Sequence, residues 1–181
     1  MKTTTWIFLL IVGLAGLAHA TPQLGFTGTQ LAKGTYDDID INNLFTRKDM
    51  SQATGTPAGW YQNATDIPKL PWRSLLQTDT PSDVYVQSNT WAPGGTTGWH
   101  SHPGSSLIMV TSGTVTVYHG EDPTCKPETY TAGQSFIDYG GDDTHVIRNE
   151  TATEAKSVAV QIIPSKANRR IDRPANPACG F

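Results

Sequence analysis

The sequence has no apolar run long enough for an ordinary transmembrane helix. Trp6 to Ala18 is apolar but only 13 residues long, against the roughly 20 that a span requires. No later segment is apolar enough to cross a bilayer. Nor is there an excess of charge: 13 Lys and Arg stand against 16 Asp and Glu, a formal balance of −3, with no basic stripe. That excludes the electrostatic footprint of a nucleic-acid partner, and it offers nothing for an anionic membrane surface to attract. From Gln30 onward no window shows a sustained 3.6-residue apolar period, so amphipathic helices are not expected. No internal repeat or low-complexity tract is evident.

What stands at the start has its own pattern. Lys2 precedes the apolar run, and Ala18-His19-Ala20 reads as a small-residue cleavage site before Thr21-Pro22. Residues 1–20 are therefore expected to be a secretory signal, with an uncleaved anchor as the alternative that the short run argues against. Removing them leaves 161 of the 181 residues and a net charge of −4, since Lys2 is the only charge lost. One domain with a real core fits that length. The expected location is secreted or periplasmic, with no membrane contact after signal removal.

Cysteine is scarce. Cys125 and Cys179 are the two in the chain. In an oxidising compartment they are expected to pair, tying the C-terminal tail to a loop. Two free, buried thiols are the alternative.

The body divides by texture. Residues 21–70 are rich in Gly, Thr, Asn and Asp. Ile39 and Ile41 alternate there and mark a short strand. Thr46 to Pro68 is a polar stretch read as a surface loop or lid, with Trp60 and Tyr61 folding back. Residues 71–164 are different: DVYVQSNTW, SLIMVTSGTVTVYHG, SFIDYGGDDTHVIRN and KSVAVQIIP read as strands parted by turn formers. Ser112-Gly113 between two apolar runs predicts a hairpin. Residues 165–181, basic and Pro-rich, read as an extended tail over the surface. Many short strands with frequent turns predict an all-β single domain, a sandwich or barrel.

Four histidines lie beyond the signal: His100, His102, His119 and His145. Along a strand, residues i and i+2 share a face, so His100 and His102 can converge on one ion. A third ligand must come from a neighbouring strand. His145, in DTHVIRN, is the candidate, and the 42 intervening residues let the chain leave and return.

These two stretches resemble the paired motifs of the cupin superfamily. Gly94, His100, His102 and Gly113 fall on the first motif, and His145 and Asn149 on the second; Gly133 sits one residue early. The resemblance covers about Asp83 to Pro164. It implies an antiparallel β-barrel of jelly-roll type with inward histidines. It implies that His100, His102 and His145 hold one divalent transition metal ion, whether Fe, Mn, Cu or Zn. Members of that superfamily often pair through sheet edges, which makes a homodimer a further expectation.

The departures from the motifs sharpen the expectation. The glutamate of the first motif falls on Ser106 or Leu107, and neither replaces a carboxylate. Asp138, Asp142 or Asp143 could supply one if its loop folds inward, while the GGDD composition marks Asp142 and Asp143 as surface turn residues. Three neutral imidazoles leave a divalent ion uncompensated, which favours anionic or enolisable ligands bound to the metal directly. The ligand set resembles that of three-His cupin dioxygenases.

The remaining residues have plainer readings. His119 is expected in an exposed loop, and Tyr85, Tyr118, Phe136 and Met109 in the core or cavity wall. Trp91 and Trp99 read as packing or as a rim at the barrel mouth. Asn63 and Asn149 head glycosylation sequons. Two functions stay open. One is a mononuclear metal oxygenase, or a related lyase or isomerase, acting on a small anionic or enolisable molecule, with Tyr85, Gln87 or Tyr118 orienting it. The other is a non-catalytic module that binds a metal or small ligand. A third possibility is a structural barrel whose metal site is decaying, with Ser106 as its first loss.

Overall fold

A computed structural model describes residues 21–45 and 72–181, without the side chain of Phe45. The expected signal, and the polar segment carrying Trp60, Tyr61 and the Asn63 sequon, lie outside the described residues. Within them the chain is all-β, an antiparallel barrel, as its texture predicts. No helix among the described residues is long and apolar enough to cross a membrane.

The centre of the sheet is β4 (Ser82–Thr96), which pairs with β1 (Leu24–Tyr36) on one side and β11 (Ala155–Pro164) on the other. Beyond β11 come β6 (Ser106–Ser112) and β9 (Ser135–Asp138). Towards the other end, β10 (His145–Arg148) meets β4, β5 (His100–Ser101) and β7 (Thr114–His119), and β7 meets β8 (Glu128–Thr131). A separate ribbon joins β2 (Ile39–Phe45) to β3 (Trp72–Thr78). Last, β12 (Ile171–Asp172) adds to β5.

Alternation builds the interior. On β11, Ala155, Ser157, Ala159, Gln161 and Ile163 point inward, while the residues between them do not. On β6, Ser106, Ile108 and Val110 point inward; Leu107 and Met109 stand on the outer face. The core gathers Trp91, Ile108, Val110, Val115, Val117 and Ile147. Each buried aliphatic side chain contributes about 1.5–3 kcal/mol relative to exposure. Where β11 presents Ser157, Ala159 and Gln161, the wall is thin or polar, and the barrel keeps a cavity of about 250 Å³.

Several expectations need correction. Ser112-Gly113 does not make a hairpin: β6 pairs with β9 and β11, whereas β7 pairs with β8 and β10. Gly113, at φ 68°, swings the chain from one part of the sheet to another, and a Cβ there would meet the Glu154 carbonyl oxygen at 2.5 Å. Met109 is 42% exposed because it takes the outer position of β6. His119 is half-buried at the end of β7, between Asp143 and Glu128, rather than in an open loop. Asn149 is fully buried. Its amide nitrogen donates to the carbonyls of Trp91, Ala92 and Thr153, and its oxygen accepts from Thr151, so it is a structural clamp and not an open glycan acceptor.

The strand over Leu24–Tyr36 carried no apolar alternation to reveal it. It is exposed along most of its length and is held by its backbone ladder to β4. One buried ionic knot pins it there. Asp83 accepts from Thr35 and Ser165 and from the Lys166 backbone, and pairs with Lys33 at 2.9 Å. The hydrogen bond from Thr35, helped by those from Lys33 and the tail, holds the Asp83 carboxyl well below the usual carboxylate range.

Cys125 and Cys179 form a disulfide across 54 residues. The tail is more than a surface wrap. Its β12 joins the sheet beside His100, and Phe181 stacks on Trp99 with Arg148 above it, 3.9 Å from the ring centroid. A bridge of this span should stabilise the fold by about 4 kcal/mol in the chain-entropy model, often less in practice. Replacing both cysteines by serine is expected to lower the urea unfolding free energy by about 2–4 kcal/mol. An unchanged midpoint would show that the tail docks without the bridge.

Candidate metal centre

His100 and His145 sit opposite each other in the register of β5 and β10, and His102 follows β5 by one residue. The ring centroids are 4.5 Å apart for His100 and His145, 4.7 Å for His100 and His102, and 5.5 Å for His102 and His145. One ring nitrogen from each lies within 4.8 Å of the other two. The structure thus brings together the three histidines singled out from the sequence and leaves His119 elsewhere.

Each ring is turned by a backbone carbonyl. His100 Nδ1 donates to Gly98 O at 2.8 Å, His145 Nδ1 to Asp143 O at 3.3 Å, and His102 Nδ1 to Arg169 O. A carbonyl can only accept, so the proton of each neutral ring resides on Nδ1. That leaves a lone pair on every Nε2. His145 Nε2 is buried with no hydrogen-bond partner, a costly state unless something bonds it. Imidazole nitrogen in this tautomer is a ligand for Zn, Cu, Fe or Ni, and the carbonyls serve as the outer contacts that orient such ligands. The donor set fits a divalent transition metal.

The charge balance points the same way. Burial, then the nearby His145, His102 and Arg170, pushes the pKa of His100 down to about 2, against a hydrogen bond to the Gly98 carbonyl that favours protonation. Burial also lowers His145, although Asp138 opposes it. Both rings are neutral near pH 7 and ready to bind a cation rather than repel one.

A carboxylate stands beside the trio. Ser106 occupies the position where a glutamate is expected, and it is buried facing Asp138 on β9, its partner in the β6–β9 register. Ser106 Oγ donates to Asp138 Oδ2 at 3.1 Å, and that oxygen lies 3.5 Å from His102 Nε2. The other oxygen accepts from Gly140 N. A lone pair and a carboxylate face each other here, an arrangement that a proton or metal ion between or beside them would relieve. Asp138 also forms a second close set with Asp143 and His145. It belongs to a strand, not to a loop that folds inward. Asp142 is the surface residue expected of it, its side chain fully exposed and paired with Arg173.

The GGDD turn is held over the site by shape. Gly141 N donates to His102 O at 2.7 Å. Gly140 lies so close to Gly104 that a Cβ at either would strike backbone: Gly104 for the one, Ile162 for the other.

Of the other residues considered, Gln87 lines the cavity. Tyr85 and Tyr118 do not: Tyr85 lies under Arg169, and Tyr118 packs against Trp99 and donates to Glu150. Trp91 and Trp99 are core. Gln161 and Arg169 line the cavity as well, and neither stood out from the sequence. The alternation of KSVAVQIIP places Gln161 inward by parity. Nothing local marks Arg169, because only the docked tail carries it to the barrel mouth.

A family model described as a cupin domain matches residues 89–161. A 64-residue stretch is 38% identical to the (R)-mandelonitrile lyase of Granulicella tundricola, covering 35% of this chain and 45% of that protein. The chain thus spans less than half the length of that curated relative. Among solved structures, an oxalate oxidase is 27% identical with a TM-score of 0.39, over 45% of this chain and 46% of that one. A cupin superfamily protein of Desulfitobacterium hafniense is 16% identical with a TM-score of 0.39, over 50% and 73%.

Since His100 and His145 bind protons less readily when folded than unfolded, the unfolded chain protonates first as pH falls through about 6.5. Their contribution to stability is complete above that pH and drains away towards acid. Between pH 7.5 and 5.5 the metal-free protein should lose about 1 kcal/mol in urea unfolding through His100, with a further loss in the same direction from His145. His100→Gln should flatten that slope; an equal slope in both proteins would remove the burial argument.

Proposed function

We propose that this chain, whose residues 89–161 match a cupin domain, binds one divalent transition metal through His100, His102 and His145 and acts on a small anionic or enolisable molecule. The observation that carries this reading is the shared tautomer in a close trio: three carbonyls hold Nδ1–H, and one ring nitrogen of each histidine lies within 4.8 Å of the other two. A bound ion of this kind supplies Lewis-acid polarisation of a substrate oxygen, and redox chemistry if it is iron, copper or manganese.

The protein's own residues do the rest. His100 and His145 stay neutral, and a backbone carbonyl fixes each of the three rings. Asp138, held by Ser106 Oγ and Gly140 N, keeps a carboxylate within 3.5 Å of His102 Nε2. It partly offsets the cation and is placed to take up or return a proton at the site's edge. Gln87 and Gln161 present amide groups to the cavity. The walls of Trp91, Ile108 and Ile147 limit water. A cavity of about 250 Å³ suits a metabolite-sized ligand, below the roughly 300–1,000 Å³ of drug-sized sites.

The relative named as an (R)-mandelonitrile lyase supports lyase chemistry over dioxygen chemistry; His100, His102 and His145 would hold an ion that would polarise the substrate oxygen. Oxygenase activity is the second reading, consistent with the three-His ligand set. Export fits the disulfide, which persists in oxidising compartments.

Metal analysis of purified protein should return close to one transition metal per chain. His102→Ala should lower that content at least tenfold while the fold persists. Unchanged content in the variant would break the ligand assignment. Cyanohydrin cleavage without oxygen uptake would favour the lyase; oxygen consumption with diketones would favour the oxygenase.

A further inference from the structure

Arg169 carries a positive charge that nothing in the described structure neutralises. Its guanidinium lies flat over the Tyr85 ring, 4.1 Å from the centroid. Nε donates to Gln161 Oε1 at 2.9 Å, and Nη2 donates to Gln87 Oε1 at 2.8 Å. Gln87 is itself oriented by the hydrogen bond its Nε2 donates to Asn89 Oδ1. Both acceptors are neutral amides. The other arginine at the cavity differs: Arg170 Nε is paired with Asp172 at 2.6 Å. Of the five N–H donors on a guanidinium, Arg169 spends two, and its charge remains whole. Burial draws its pKa below the ordinary value, as expected of a charge that lacks a counter-ion.

The side chain lines the same cavity as the three histidines. A rigid fork with free donors, stacked on an aromatic face and fixed by two amides, matches a planar two-oxygen anion. We propose that Arg169 is the anion-recognising residue of this pocket and that its ligand is a small carboxylate. This rests on the pocket's reading as a metal-dependent site, and it narrows the ligand from any anionic or enolisable molecule to one whose carboxylate meets Arg169 while another oxygen faces the histidines. The residue comes from the C-terminal tail. Its carbonyl orients His102 and its side chain meets the ligand, so one residue serves both ends of the pocket.

Those two roles are separable, because a side-chain substitution leaves the carbonyl in place. Zinc-loaded protein is titrated calorimetrically with glycolate and with its neutral isostere glycolamide, and zinc content is read on the same samples. The wild type should prefer glycolate. Arg169→Gln should weaken glycolate binding at least tenfold, leave glycolamide within twofold and retain its zinc. Arg169→Lys, which keeps the charge but not the fork, should fall between them, and it decides the matter if the glutamine variant does not fold. Undiminished glycolate binding in the substituted protein, or no preference for glycolate in the wild type, overturns the proposal. A wild type that takes up no zinc overturns the metal reading instead. The same titration on that metal-free protein still tests Arg169.

Discussion

Three backbone carbonyls, of Gly98, Asp143 and Arg169, decide which nitrogen of each imidazole carries the proton. The whole centre depends on that choice. An imidazole turned the other way would offer an N–H, which no cation can use. Each carbonyl comes from a different segment: the loop before β5, the turn before β10, and the tail. The histidine cluster therefore takes this form only when all three are docked at once.

That dependence gives the disulfide a meaning beyond stability. Cys125–Cys179 anchors the far end of the tail, and Arg173 N donates to Trp99 O while its Nε reaches Ser101 Oγ. Arg169 runs just ahead of these anchors. Its carbonyl is held against His102, and its side chain against Gln87 and Gln161. The tail is a working wall of the pocket. The Asp83 knot anchors its near end through Ser165 and Lys166.

Charge follows the same logic of position over type. The first-motif carboxylate is missing at Ser106, yet a carboxylate stands next to it across the β6–β9 ladder. A strand pairing thus brings an acid to the histidines' edge without an acid at that place in the motif. Asp138 groups with Asp143 and His145 rather than with all three histidines, so it stands beside the trio and not within it. The neutrality of His100 and His145 has the same origin, since it is burial that sets it.

The all-β class, the strands β4, β6, β7, β9, β10 and β11 and the three histidines were legible because period-two alternation and motif spacing are local properties. Pairing Cys125 with Cys179 was legible because there were only two. What escaped had non-local causes. The strand over Leu24–Tyr36 has exposed side chains and is held by its ladder. The turn at Gly113 has hairpin chemistry but crosses the sheet, because β6 and β7 take other partners. Asn149 reads as a sequon until its amide is seen spent on buried carbonyls. By itself the chain determined which side chains could share a face. Only the tertiary structure decided which ring nitrogen carries the proton, where a carboxylate stands and that Arg169 reaches the pocket, because each depends on backbone groups brought together from distant segments.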